Sequence, residues 1–208
     1  LEILKSAEIK EVSKEEYLSN SFNEAVFCRL DPLDYNERID GSKSEKYDFY
    51  TYPEKYKSSF MKYASCTDIF IAGHFYGIGS PYLFTREDAK SDNFKIKVIA
   101  DISCDIDGPV ASTIRSSTIS DPIYGYNPKI EKEDDFRKDG VIAVMAIDNL
   151  PCELPKDASE DFGKEFISKI LPNLIGEDKD NIIKRATICE EGNLTSNFEY
   201  LRDYLNGN

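Results

Sequence analysis

Two stretches of the chain run apolar and β-branched and then stop at an acid. Residues 95–109 read KIKVIADISCDIDGP, and residues 141–155 read VIAVMAIDNLPCELP. The first run ends at Asp101 and the second at Asp148, and each passes into a loop bearing Gly or Pro. Runs without polar alternation predict strands buried on both faces of a parallel sheet. Residues 67–75 (TDIFIAGHF) form a third such run, followed by Gly77, Gly79 and Pro81. Residues 9–12 and 25–30 predict shorter strands. Helical spacing lies between them. Leu1, Leu4 and Ala7 share one face of an opening helix, with Ile3 beside them, and residues 14–18 start a second helix. Thr85, with Asp88 three residues on, has the form of a helix cap. Phe162, Phe166 and Ile170 line one face of an amphipathic helix over residues 159–171, flanked by Ile167 and Leu171. Residues 181–189 and 198–205 carry weaker apolar patterns, the second helical.

Strands separated by helices or long crossovers imply an α/β fold with a parallel sheet. Ligands of open α/β sheets bind outside the carboxyl ends of the strands. The ends at Asp101 and Asp148 are therefore a site expectation as well as a fold expectation. Residues 31–65 interrupt the pattern and are rich in Tyr, Lys, Asp and Glu, with a turn signal at Asp40-Gly41. Tyr47, Phe49, Tyr50, Tyr52, Tyr56, Phe60 and Tyr63 supply enough apolar area to make this an ordered insertion. Nothing precedes the opening helix to satisfy its first N–H groups, so the chain reads as a fragment that begins inside an element.

Composition narrows the partners. The 208 residues carry a net charge of −13, which argues against nucleic acid or an anionic membrane and reads as a solvated surface. A nucleotide stays compatible, because backbone N–H groups and a few cations hold phosphates locally. The five cysteines (Cys28, Cys66, Cys104, Cys152, Cys189) are odd in number and never form a C-x-x-C pair. They read as reduced thiols of a cytoplasmic protein, with no metal site. No apolar run approaches the ~20 residues that cross a bilayer.

Several residues carry candidate chemistry. His74, the sole histidine, stands at a strand end before a Gly-rich loop. It is either a general base or ligand donor, or a loop histidine with a satisfied ring. Asp101, Asp105 and Asp107 alternate, out of register with a calcium loop. Either Asp101 meets a sugar hydroxyl while the others cap the loop, or all three are turn residues. Asp148-Asn149 suits a carboxamide or ribose, or else an Asx turn before Leu150-Pro151. The one Gly-x-Gly, Gly77-Ile78-Gly79, opens no helix, so no dinucleotide fingerprint is present.

Three long segments are more specific: ADISCDIDGP (100–109), STIRSSTISDPIYGYNP (112–128) and MAIDNLPCELPKDASEDFG (145–163). They resemble the saccharopine dehydrogenase (lysine-forming) and lysine–ketoglutarate reductase family, within the alanine dehydrogenase/transhydrogenase superfamily. The resemblance extends to residues 40–60, 67–89 and 186–201. It implies a Rossmann-like parallel sheet with flanking helices, truncated at its N-terminal strand and glycine-rich turn. It divides the chain into a partial dinucleotide-binding domain, residues 1–175, and a segment, residues 176–208, that packs on it or returns to an absent substrate domain. The implied activity is NAD(P)-dependent oxidation at the CH–NH group of saccharopine, made from lysine and 2-oxoglutarate. The alternatives are an opine- or alanine-type dehydrogenase, or a non-catalytic nucleotide-binding module.

By the same resemblance Phe75 stands beside the adenosine end of the cofactor. Ile102, just after the ligand-facing candidate Asp101, lies at a backbone contact, and Ile147, Asp148, Asn149 and Leu150 form the loop touching the nicotinamide side. The family's catalytic Lys and His match nothing here, so no catalytic residue carries over. Val12-Ser13 stands where a ribose-binding acid is expected, which leaves NAD and NADP undecided. The missing first strand implies an unpaired sheet position and self-association.

Overall fold

The computed structural model describes residues 2–77 and 79–207. Leu1 of the opening helix and Ile78 of the Gly-x-Gly turn lie outside them. Two compact units follow one another along the chain, Leu1–Leu150 and Pro151–Asn208.

The first unit begins with α1 (Glu2–Ser6), β1 (Lys10–Glu11), α2 (Lys14–Ser19) and β2 (Val26–Phe27). β1 and β2 pair in parallel, Lys10 opposite Val26. A reciprocal cap starts α2. Glu16 N–H donates to Ser13 Oγ (3.1 Å), and Ser13 N–H donates to the Glu16 carboxylate (3.0 Å). The expected insertion is ordered. It holds α3 (Pro32–Tyr35), β3 (Asn36–Arg38), α4 (Lys46–Thr51), β4 (Tyr56–Ser58) and α5 (Met61–Ala64). β3 and β4 pair antiparallel, and Arg38 ties them to α4 through its salt bridge with Asp48. Phe49 and Tyr56 meet edge to face at 5.1 Å.

The main sheet then forms from β5 (Ile69–Ala72), β6 (Val98–Asp101), β7 (Tyr124–Asn127), β8 (Lys132–Asp134) and β9 (Ile142–Met145), with α6 (Arg86–Lys90) between β5 and β6. Thr85 and Asp88 cap α6 as their spacing predicts: Asp88 N–H donates to Thr85 Oγ1 at 3.1 Å, and Thr85 N–H to Asp88 Oδ2 at 2.8 Å. The spatial order is β5-β6-β9-β7-β8. The three strands read from apolar runs, β5, β6 and β9, are parallel neighbours. β7 pairs antiparallel with β9, and β8 pairs antiparallel with β7, so the Rossmann-like α/β sheet is mixed. Their sequences, YGYN and KED, lack the apolar runs that mark the other three strands.

One face of the sheet builds the core. Ile99 and Val144 are buried there with Phe60, Phe84, Val110 and Tyr126, and α5 and α6 contribute Ala64 and Ala89. The other face differs from the expectation of two-sided burial: Ile69, Ile71 and Val98 are 62, 49 and 40% exposed. An apolar run cannot say which of its two faces will be covered.

The β7–β8 hairpin is closed tightly at Gly125. A Cβ there would lie 2.6 Å from Phe136 N and 2.7 Å from Val141 Cγ1. Because the nearest neighbours include backbone, relief requires the strands to part. Gly125→Ala is therefore expected to destabilise the protein by about 2–3 kcal/mol, read as a lower denaturant midpoint.

The second unit opens with α7 (Pro155–Glu165), passes through a π-helical turn at Phe166–Ile170 and continues as α8 (Leu171–Ile175). Pro172 has no N–H to give the preceding turn, which accounts for the widening just before it. The stripe predicted over 159–171 is present as helix; Phe162 stacks on Phe166 at 6.2 Å but remains exposed. α9 (Ile182–Ala186) follows. The β10 (Cys189–Glu190) and β11 (Asn193–Leu194) hairpin turns through Glu191-Gly192, both at positive φ, and α10 (Arg202–Leu205) is the last helix described.

Candidate functional site

The three parallel strands finish level with one another. Ala72 pairs with Asp101, and Ala100 pairs with Met145. The loops that start at Gly73, Ile102 and Ala146 therefore leave the same carboxyl edge, which is where an open α/β sheet binds ligands.

At the end of β5, Phe75 projects into solvent and is 92% exposed. His74 turns back toward the β6 loop. Ser103 Oγ donates to the His74 carbonyl at 2.7 Å and lies 3.4 Å from its Nδ1. The hydroxyl spends its one proton on the carbonyl, so Nδ1 serves as the donor to Ser103, and Nε2 keeps a lone pair. Nε2 is buried without a partner among the described residues. Burial pushes the His74 pKa down, opposed by Asp101 and Asp105, and favours the neutral ring. His74 lies 29 residues from Ser103 in sequence, a pairing that linear spacing could not reveal.

At the end of β6, Asp101 is 1% exposed. Its Oδ2 accepts from Thr113 Oγ1 at 2.6 Å, and its Oδ1 accepts from Cys104 N at 3.1 Å. The carboxylate is thus turned inward and committed to the loops, while Ile102 beside it is half-exposed. Asp105 and Asp107 serve the turn: Gly108 N–H donates to the Asp105 carbonyl, and the Asp107 carboxylate pairs with Arg86 at 2.7 Å. Among the described residues no group of three acids, histidines or cysteines is placed to hold a metal. Cys104 takes positive φ and donates its Sγ–H to the Ala146 carbonyl at 3.1 Å. Burial first, and then Asp101, Asp148 and Asp105, push that thiol pKa up, so it stays protonated and can donate.

At the end of β9, Ala146 is held on both sides by Ser117. Ala146 N–H donates to Ser117 Oγ at 3.0 Å, and Ser117 N–H donates to the Ala146 carbonyl at 2.8 Å. Ile147 is buried, Asp148 and Asn149 are exposed, and Leu150 is half-buried. The residues expected to face a cofactor therefore gather on one edge. Phe75, Ile102, Asp148 and Asn149 reach its surface, and Asp101 and Ile147 lie beneath it. Thr113 and Ser117, which hold the two strand ends, carry no local sign of that role beyond a run of small polar residues, STIRSS.

A cavity of about 240 Å³ adjoins the β5 loop, lined by Asp31, Tyr35, Tyr50, His74, Phe75 and Tyr76 among others. Burial pushes the Tyr35 hydroxyl up to about 12, which keeps it a donor. The edge thus offers flat aromatic and aliphatic surface for rings, and an acid–amide pair for hydroxyls or a carboxamide. The start of α6 is not open to a pyrophosphate, because Thr85 and Asp88 already cap it.

No family model matches the chain. The alpha-aminoadipic semialdehyde synthase of Arabidopsis thaliana is 32% identical over 84% of this chain and 17% of its own length. The mitochondrial alpha-aminoadipic semialdehyde synthase of Rattus norvegicus is 27% identical over 97% of this chain and 24% of its own length. A saccharopine dehydrogenase (NAD(+), L-lysine-forming) of Schizosaccharomyces pombe is 30% identical over 50% of this chain and 27% of its own length. The chain spans between 17 and 27% of the length of these relatives.

Proposed function

The chain is homologous to one stretch of the alpha-aminoadipic semialdehyde synthases and of saccharopine dehydrogenase, and on that premise we propose that it is the cofactor-binding part of an NAD(P)-dependent oxidoreductase of lysine metabolism. The substrate in this reading is saccharopine, oxidised at its CH–NH bond, or in reverse the imine of lysine and 2-oxoglutarate. The observation that carries the reading is the level ending of β5, β6 and β9, which collects Phe75, Ile102, Asp148 and Asn149 at one edge. The dinucleotide, when bound, supplies or takes the hydride. The chain's own residues bind and orient it. Phe75 offers its ring face to the adenosine end, Ile102 a backbone and apolar contact, and Asp148 and Asn149 hydrogen bonds to the ribose or carboxamide on the nicotinamide side.

NAD and NADP stand level for this chain. Val12 is buried, and Ser13 Oγ is occupied in capping α2, so neither supplies an acid for a ribose hydroxyl or a cation for a phosphate. Catalytic groups are assigned to no residue here. A reducing compartment suits the five free cysteines; the rat relative is named mitochondrial, and that placement stands beside the cytoplasm. No helix of the described residues is long and apolar enough to cross a membrane. Self-association belongs to the same reading, since Ile69, Ile71 and Val98 leave apolar surface on the open sheet face.

The test uses two proteins. The full-length protein is expected to bind NADH or NADPH and to oxidise saccharopine in preference to other amino acids in a substrate panel. The 208-residue chain alone is expected to show no turnover of saccharopine with either oxidised cofactor. Turnover by the chain alone, or a full-length protein that binds neither cofactor, overturns the reading. Turnover confined to alanine or an opine transfers the protein to that class of dehydrogenase.

A further inference from the structure

We propose that Ser117 is the positioning residue for the loop at residues 147–150, and so sets affinity for the nicotinamide half of the cofactor. The inference rests on the reading of that loop as the nicotinamide-side contact.

β9 ends at Met145, and the next residue, Ala146, is fully buried. Its N–H and C=O leave the ladder just where the chain must turn toward the ligand, and both need partners. One residue satisfies both: Ser117 Oγ accepts from Ala146 N, and Ser117 N–H donates to Ala146 O, with Cys104 Sγ as a second donor to the same carbonyl. Ser117 then lies opposite Ile147 in an isolated parallel bridge. Beyond that point the loop has little hold of its own. Among the described residues, neither Asp148 nor Asn149 has a side-chain hydrogen-bond partner. The direction in which they leave the sheet is inherited from the Ala146–Ile147 step.

Ser117 can act as an anchor because it is itself anchored. The segment leading to it is fixed by Thr113 on the Asp101 carboxylate. It is also fixed by the Tyr124 hydroxyl, which donates to Ser112 O and accepts from Ile114 N. Rigid contacts on β6 and β7 are thereby passed to the end of β9. Alanine at 117 would preserve the backbone bond to Ala146 O but leave Ala146 N–H buried and unpaired. The strand would remain, and the start of the loop would lose its definition.

The experiment compares Ser117→Ala with Ser120→Ala, an exposed control on the same loop, in the full-length protein. Affinities for NADH (or NADPH) and for AMP are measured by titration. Ser117→Ala is expected to weaken the dinucleotide by about tenfold, one buried hydrogen bond's worth, and to leave AMP and the control unchanged. Equal weakening of dinucleotide and AMP would mark a general loss of structure and overturn the inference, as would no change in either. Failure of the unaltered protein to bind any dinucleotide would instead overturn the functional reading. In that case amide hydrogen exchange decides the positioning role in the 208-residue chain. Faster exchange confined to residues 146–149 in Ser117→Ala supports it, and unchanged exchange rejects it.

Discussion

Asp101→Ala is expected to cost about 3–5 kcal/mol of folding stability, from two orphaned buried groups at about 1–3 kcal/mol each. The carboxylate is sealed from solvent, and each of its oxygens has one partner, Thr113 Oγ1 and Cys104 N. Alanine removes both acceptors at once. Thr113 is itself fully buried, so water cannot take over the bond. The loss also spreads, because Thr113 N–H is bonded to Val110 O, and Thr113 O accepts from Asp107 N. Asp101→Asn gives a graded comparison. Its amide oxygen can still accept from Cys104 N–H, while its NH₂ faces the Thr113 hydroxyl, which must then turn and find another acceptor. About half of the alanine loss is expected for the amide. Denaturant midpoints of the two variants measure both figures. An alanine variant within about 0.5 kcal/mol of the parent, the range of an ordinary surface change, would show that this buried network is dispensable.

The second large effect is expected at Phe60. Its ring is 1% exposed and lies 4.8 Å from Phe70, 6.1 Å from Phe84 and, edge to face, 6.4 Å from Tyr35. It is thus the hinge pin between the insertion, through Tyr35, and the main sheet, through Phe70 on β5. Phe60→Ala is expected to lose about 3–5 kcal/mol, the transfer term plus a cavity that three rigid aromatic neighbours cannot close. Phe60→Leu refills most of the volume and is expected to lose under about 1.5 kcal/mol. A local signature should accompany the global loss. Limited trypsin digestion of Phe60→Ala is expected to cut first at Lys55, Lys57 and Lys62, all within the released insertion. Cleavage that begins elsewhere would show that Phe60 does not secure this region.

These two residues also mark what can be read from an amino-acid sequence. β5, β6 and β9 were legible because each is a run of branched apolar residues, a composition that favours strands whether one face is covered or both. The caps at Ser13 and Thr85 follow from chemistry contained within four residues; at Thr85 that chemistry is visible as spacing. β7 and β8 carry no such signal because they belong to an antiparallel edge, where a Gly between two tyrosines and a charged KED can pair without an apolar run. The site divides in the same way. Phe75, Ile102, Asp148 and Asn149 sit at strand ends, and a strand end can be located from composition. The inward turn of Asp101, the partnership of His74 with Ser103 and the hold of Ser117 on Ala146 depend on contacts between residues 12 to 29 positions apart. No local pattern encodes such contacts.

The sheet order has a consequence for the sequence of events in folding. β9 is the last of the five main strands to leave the ribosome, yet it lies in the middle of them, between β6 and β7. The β7–β8 hairpin closes over a short turn, with Asn127 opposite Lys132, and β5 can meet β6 early. Neither half can join the other until Ile142–Met145 arrives to fill the slot. Until then two open strand edges face an empty lane, and the loop from β6 must close over more than forty residues, Val98 to Ala143. Loop-closure entropy and non-local pairing make such a step slow. The strand that delivers the loop at residues 147–150 is therefore also the keystone, set last, and the level carboxyl edge does not exist until it is in place.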